Sequence, residues 1–268
     1  MMKEKNPKHE PLDFDPIKME KISKELEKDP ENAELWYEKG LQHNWAGEAD
    51  KAIACFSVGL IYRPFHPQMH GWRGRKLIGR DDYVGSVSEL ALAAALQPDD
   101  WELWYYQGVS AYLAGLYSHA RKVFLEALRL MEKYDSGCIP ASVDWLWMTC
   151  MRLGLREEAK QIATRYIKEG MEAVDPPYYY RGLLYNGTYA PDGFVEKCLE
   201  LENNPARQRV NYLMLTYGLA NYYHYEGRDD LAIPMLREVA ATEDCKTLFS
   251  VKQAKLDLAQ MNGESSLK

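Results

Sequence analysis

The sequence predicts an all-α protein made of repeated helix-turn-helix units about 34 residues long. A spaced set of residues recurs in register along the first half of the chain. Trp36, Gly40, Gly47, Ala52, Phe56 and Pro64 are followed by His70, Gly74, Asp81, Ser86, Leu90 and Pro98, and then by Trp104, Gly108, Gly115, Ala120, Phe124 and Glu132. The glycines and prolines also fall where a hairpin of helices must turn. Glycine accepts the left-handed conformation that ends a helix, and proline prevents its continuation. The composition is that of an ordered chain, with 46% hydrophobic and 27% charged residues and a mean hydropathy of −0.48.

The elements follow in order. Residues 1–16 carry Pro7, Pro11 and Pro16 and read as a flexible arm. Residues 17–28 place Ile17, Met19, Ile22 and Leu26 at helical spacing and read as one short amphipathic helix. Three units then run without insertion over 33–66, 67–100 and 101–134. Looser units are expected over 140–174, 175–205 and 207–240, with a capping helix at 247–260 and a frayed tail at 263–268. The fourth unit is read as helices over 141–152 and 156–170. The fifth is irregular: Gly182 holds the place of the signature glycine, and Pro191-Asp192-Gly193 interrupts its second half. The whole of 17–262 is expected to form a single repeat domain.

The spacing has a physical reason. Two antiparallel helices must approach closely near their crossing. Small residues at Gly40, Gly74, Gly108, Ala52, Ser86 and Ala120 allow it, while Trp36, Trp104, Phe56, Leu90 and Phe124 fill the layers between. One hairpin cannot bury both faces, and stacked hairpins can.

These residues resemble the tetratricopeptide repeat family. Its pattern sets Trp at position 4, Gly at 8, Ala at 20, Phe at 24 and Pro at 32 of each unit. The first unit is similar through Trp36, Gly40, Ala52, Phe56 and Pro64, and the third through Trp104, Gly108, Ala120, Phe124 and Ala127. Departures include Lys39, Arg73 and Gln107 where the family has Leu, and His43, Leu77 and Ala111 where it has Tyr. The resemblance implies a right-handed alpha-alpha superhelix of about five to six helical hairpins plus a capping helix. It also implies a concave face lined by the first helix of each unit, presenting Tyr37, Asn44, Arg75, Tyr105, Tyr112, Tyr217, Asn221 and His224 as candidate binding residues. That face is aromatic and mixed-polar, which suits a peptide segment or an amphipathic helix. The Lys and Asn clamp with which some members hold chaperone C-termini is absent, because its places are taken by Tyr37, Leu41, Trp72, Tyr105 and Tyr106.

No HExxH, GxSxG, Walker A or dinucleotide-binding pattern occurs. No catalytic residue, cofactor or metal ligand is therefore assigned. His66 and His70 form only a weak ligand pair, separated by Pro67 and without a third ligand at suitable spacing. A net charge of −7 argues against general nucleic-acid binding. No stretch approaches eighteen apolar residues, and the N-terminal sequence lacks an apolar leader core. Five cysteines without CxxC spacing read as reduced thiols of a cytoplasmic protein. The expected function is a non-catalytic scaffold for a protein or peptide partner. The alternatives are a homodimer formed through end repeats and, ranked below it, an enzyme on a helical-repeat fold.

Overall fold

A computed structural model describes residues 13–134, 137–201 and 204–263. The expected arm over 1–16 lies outside these residues up to position 12, and the expected tail lies outside them from 264. The described residues form fourteen α-helices and no strand. The chain divides into two compact units, residues 1–111 and 112–268.

The first unit holds α1 (Pro16–Lys28), α2 (Ala33–Trp45), α3 (Ala49–Tyr62), α4 (Pro67–Gly79), α5 (Tyr83–Leu96) and most of α6 (Trp101–Leu113). The pairs α2 with α3 and α4 with α5 are the expected hairpins, and α3 packs on α4. α1 begins at Asp15, whose carboxylate accepts from the amides of Ile17 and Lys18 at 2.9 and 3.1 Å. The small residues work by close approach. A Cβ on Gly40 would sit 2.4 Å from Phe56, and one on Gly74 would sit 2.7 Å from Leu90.

One feature recurs at the 34-residue period. The Trp36 indole N–H donates to the carbonyl of Pro30 at 2.8 Å, and Trp104 donates to Pro98 at 2.9 Å. Between them, His70 Nε2 meets the carbonyl of Pro64 at 2.8 Å. Histidine thus replaces tryptophan in the middle unit and keeps its hydrogen bond. The prolines end one hairpin and also supply the acceptor that fixes the next. The helix-ending positions repeat as well: Gly47 has φ 75°, and Asp81, which stands where the other units have glycine, is held at φ 62°.

The second unit holds α7 (Tyr117–Tyr134), α8 (Ile139–Arg152), α9 (Arg156–Tyr166), α10 (Pro176–Tyr185), α11 (Phe194–Leu201), a 3-10 turn (Pro205–Arg207), α12 (Gln208–Tyr225), α13 (Asp229–Ala240) and α14 (Phe249–Met261). Gly115 precedes α7, and Gly154 and Gly227 turn the hairpins of α8 with α9 and α12 with α13, at φ 75°, 72° and 75°. The helix expected to reach 170 ends at Tyr166 instead. Ile167 becomes extended, with φ −103° and ψ 117°, and its side chain fills the space that Gly182 leaves open, 2.7 Å from where a Cβ would be. The range expected for an irregular fifth unit holds two short helices, α10 and α11, joined by a loop that turns through Gly187 and Gly193, both at positive φ; α10 packs on α8 and α12, and α11 on α12.

Candidate functional site

The first helices of the repeats carry the candidate residues, and each unit presents them differently. In the first unit these positions are only partly covered. Tyr37, Leu41, Asn44, Gln68 and Arg75 are half-buried. Tyr37 packs against Phe56 and against the ring of His66, with ring centres 6.2 and 5.1 Å away. Burial pushes its hydroxyl above the usual phenol range, opposed by a hydrogen bond with Trp72.

Arg75 is the centre of this cluster. Its guanidinium lies 5.0 Å from the Trp72 ring centre and 4.3 Å from that of Tyr106. Its Nη2 donates to Glu102 at 2.7 Å. Its Nε is buried and has no hydrogen-bond partner among the described residues, and the same is true of Asn44 Oδ1. Buried polar atoms of this kind are uncommon, and each one calls for a partner. The rest of α4 is settled internally. His66 caps the helix by accepting from the Met69 amide at 3.3 Å, and His70 Nδ1 faces Glu89 at 2.7 Å. The two histidines that looked like a ligand pair therefore point to different partners. Among the described residues, no group of three or more His, Cys, Asp and Glu side chains is arranged to hold a metal ion.

Other candidates lie in the interior. Tyr105 is buried. In the second unit Tyr112, Tyr217 and Asn221 are also buried, and only His224, paired with Asp229 at 2.6 Å, is half-exposed. These side chains stand on α6 and α12, and sequence spacing could not show what covers them.

In the second unit the cover is α14. Its residues 249, 253, 257 and 260 share one face, and this face meets α8 in register. Phe249 packs edge-on against Trp145 at 5.7 Å, Gln253 contacts the Met148 sulfur at 3.7 Å, and Asp257 forms an ion pair with Arg152. Arg152 also donates to Gln260 at 2.9 Å and to the Tyr112 hydroxyl at 3.3 Å. Tyr217 donates to the second oxygen of Asp257 at 2.8 Å, and Asn221 donates to Tyr217 at 3.1 Å. Burial opposes charge on Arg152, but Tyr112 and Asp257 outweigh it and hold the guanidinium above its usual range. The range expected for a capping helix, 247–260, is occupied by α14, which packs on α12 and α13 and reaches α8 through the side chains of Phe249, Gln253 and Asp257.

Beside it is a second buried pair. Arg181 Nε lies 2.8 Å from Asp144, and both side chains are fully buried. Burial pushes the Asp144 carboxyl up to about 7, against the pull of Arg181. Tyr178 and Tyr217 rings lie 5.5 and 5.2 Å from the Arg181 guanidinium. A Cβ on Gly218 would fall 2.5 Å from the Arg181 side chain, so this glycine makes room for it. Trp145 and Trp147, which cannot share a helix face, are both internal. Trp145 meets Tyr112, Phe124 and Phe249, and Trp147 stacks on Tyr185 at 3.7 Å.

Known structures with the same arrangement identify the fold. A tetratricopeptide repeat protein from Parabacteroides merdae aligns over 89% of this chain and 91% of its own, at 15% identity and a TM-score of 0.59. YrrB, described as a TPR protein with an unusual peptide-binding site, aligns over 88% of this chain and 99% of its own, at 14% identity and a TM-score of 0.52. MamA aligns over 64% of this chain and 84% of its own, at 16% identity and a TM-score of 0.51. The fold is that of tetratricopeptide repeats. No family model matches the sequence, and no curated protein matches it significantly. Among the described residues, no helix is long and apolar enough to cross a membrane.

Proposed function

We propose that the chain is a non-catalytic interaction scaffold whose first unit takes an extended segment of a partner protein along α2, α4 and α6. The observation that carries this reading is Arg75. Trp72 and Tyr106 hold its guanidinium in place, Glu102 occupies one edge, and its buried Nε is left without a partner. A side chain so preorganised binds a carboxylate or a backbone carbonyl with little loss of side-chain entropy. YrrB, which shares the fold, is described as having a peptide-binding site, and this supports a groove of the same class here.

The test is selection of a random peptide display library on the full-length protein. The scaffold reading predicts enrichment of carboxylate-bearing peptides, with at least tenfold loss on Arg75→Gln and a smaller loss on Tyr37→Phe. Equal recovery on wild type and Arg75→Gln would remove the groove from consideration. Tyr105 and Tyr112 are not suitable probes, because their burial makes a change in folding the first consequence of replacing them. Self-association has one observation in its favour. Ile61 and Phe65 of the first unit are 71% and 73% exposed. Sedimentation of wild type and Phe65→Ser separates the two readings: a dimer lost on Phe65→Ser supports association, and a monomer in both supports the scaffold alone.

A further inference from the structure

We infer that the inner surface of the second unit, formed by Trp145, Met148, Arg152, Tyr217 and Asn221, is a receptor for an amphipathic helix that carries one inward carboxylate. α14 is its resident ligand, displaceable by a partner helix of the same chemistry. The geometry is that of helix-in-groove recognition, in which anchors at helical spacing dock one face into a row of receptor side chains. On α14 the anchors are an aromatic ring at 249, an amide at 253, a carboxylate at 257 and an amide at 260. On α8 the receptors are Trp145, Met148 and Arg152, in the same order along the chain. The carboxylate is read twice, by the Arg152 guanidinium and by the Tyr217 hydroxyl. The receptor is in turn held by its own contacts: Asn221 orients Tyr217, and the Tyr112 hydroxyl braces Arg152.

α14 is attached as a ligand would be, mainly through polar groups. Its buried side chains are Ser250, Val251, Gln253, Ala254 and Asp257, whereas α12 buries Leu213, Met214, Leu215, Tyr217 and Leu219. At about 25 cal/mol per Å² of apolar surface, such a helix gains little from burial alone. It also forms weakly by itself. Leu248 offers no side-chain cap, the first turn has no acid and the last turn no base. A segment with few apolar contacts and a poor cap opens locally at lower free energy than the core beneath it. The connection from Ala241 to Leu248 is a natural tether for such opening. The partner implied is an amphipathic helix with an aromatic residue, an amide four positions later and a carboxylate eight positions later.

The probe is a fluorescently labelled peptide of residues 246–263, tested against the full-length protein by anisotropy. Hydrogen exchange over 249–261 is followed in parallel. Wild type binds the peptide weakly, because the tethered helix competes at an effective concentration of about 1 mM. Asp257→Asn weakens the resident helix and binds the peptide at least tenfold more tightly. Adding Arg152→Ala abolishes that gain, and a peptide carrying Asp257→Asn does not bind. Loss of α14 protection without peptide binding overturns the receptor. So does retained protection in both Asp257→Asn and the double variant Phe249→Ala/Asp257→Asn. A concentration-dependent dimer in which both copies keep α14 protected overturns it in favour of helix exchange between copies. If these variants fail to fold, wild type is used with peptide at several mM. Loss of protection over 249–261 alone then supports the inference, and unchanged protection overturns it.

Discussion

The two units solve the same packing problem with different interiors. In residues 1–111 the repeat is regular, α2 and α4 are partly exposed while α6 is largely buried, and the central arginine, Arg75, lies between two rings with Glu102 at its edge. In residues 112–268 the repeat is irregular, α8 is buried along most of its length and α12 over Leu213–Asn221, and Arg152 and Arg181 are each paired with an internal carboxylate. The difference teaches that regular repeats leave an inner face available, whereas an added helix turns the same face into core. Arg75 and Arg181 make the contrast concrete: one sits at a surface between rings, the other is sealed.

The largest effect should come from that pair. Arg181→Ala leaves Asp144 buried and unpaired and is expected to cost about 3–5 kcal/mol. Arg75→Ala removes a partly screened contact and should cost about 1 kcal/mol. Urea denaturation of both variants checks the order, and similar values would break the comparison.

The pH dependence should have opposite signs in the two units. Burial acts to raise the Glu89 carboxyl, but hydrogen bonds from His70 and Arg73 outweigh it and hold it below the usual range. Glu89 therefore contributes stability that is present above its unfolded value and lost as pH falls through its folded one. Asp144 is displaced the other way, from 3.8 to about 7. Its folded form takes up protons that the unfolded form has released, so stability falls as pH rises from about 4 to about 7. Residue-resolved hydrogen exchange across that range should show Glu89→Gln flattening the acid limb in residues 67–96. Asp144→Asn should flatten the opposite slope in residues 139–185.

A smaller effect tests the repeated ring-to-carbonyl bond. Trp104→Phe keeps an aromatic ring but removes the pyrrole part of the indole with the N–H that reaches Pro98, and should cost at least about 1 kcal/mol by thermal or urea unfolding. The smallest effect belongs to Asp81. Its left-handed backbone favours glycine, so Asp81→Ala should be less stable than Asp81→Gly by about 1 kcal/mol.

Much of the first unit was legible in the sequence, because its determinants are local and periodic. Gly40, Gly74, Trp36, Trp104 and the prolines each act within one or two turns of their own register. His70 could be aligned with the tryptophans, although its shared hydrogen bond could not be foreseen. The second unit was less legible because its determinants are distant. Arg152 meets residues 105 and 108 positions later, and Tyr217 meets one 40 positions later. A helix drawn as a cap by its position can be assigned to the groove only once those partners are seen. The buried Arg181 gave no signal of its own, since an arginine in a tyrosine-rich helix reads equally well as exposed. Gly218, which makes room for it, was the one available sign.

The contrast between partly exposed helices α2 and α4 and an inner surface covered by α14 rests on α14 being held by Arg152. The direct measurement is amide hydrogen exchange of the full-length protein, wild type against Arg152→Lys, compared over Phe249–Met261 and over Ala33–Leu96. Lysine keeps the charge but loses the fork that serves Asp257, Gln260 and Tyr112 together. The account predicts that protection over Phe249–Met261 drops at least tenfold, with Ala33–Leu96 unchanged. Full protection of α14 in the variant, or equal loss in both segments, would contradict it.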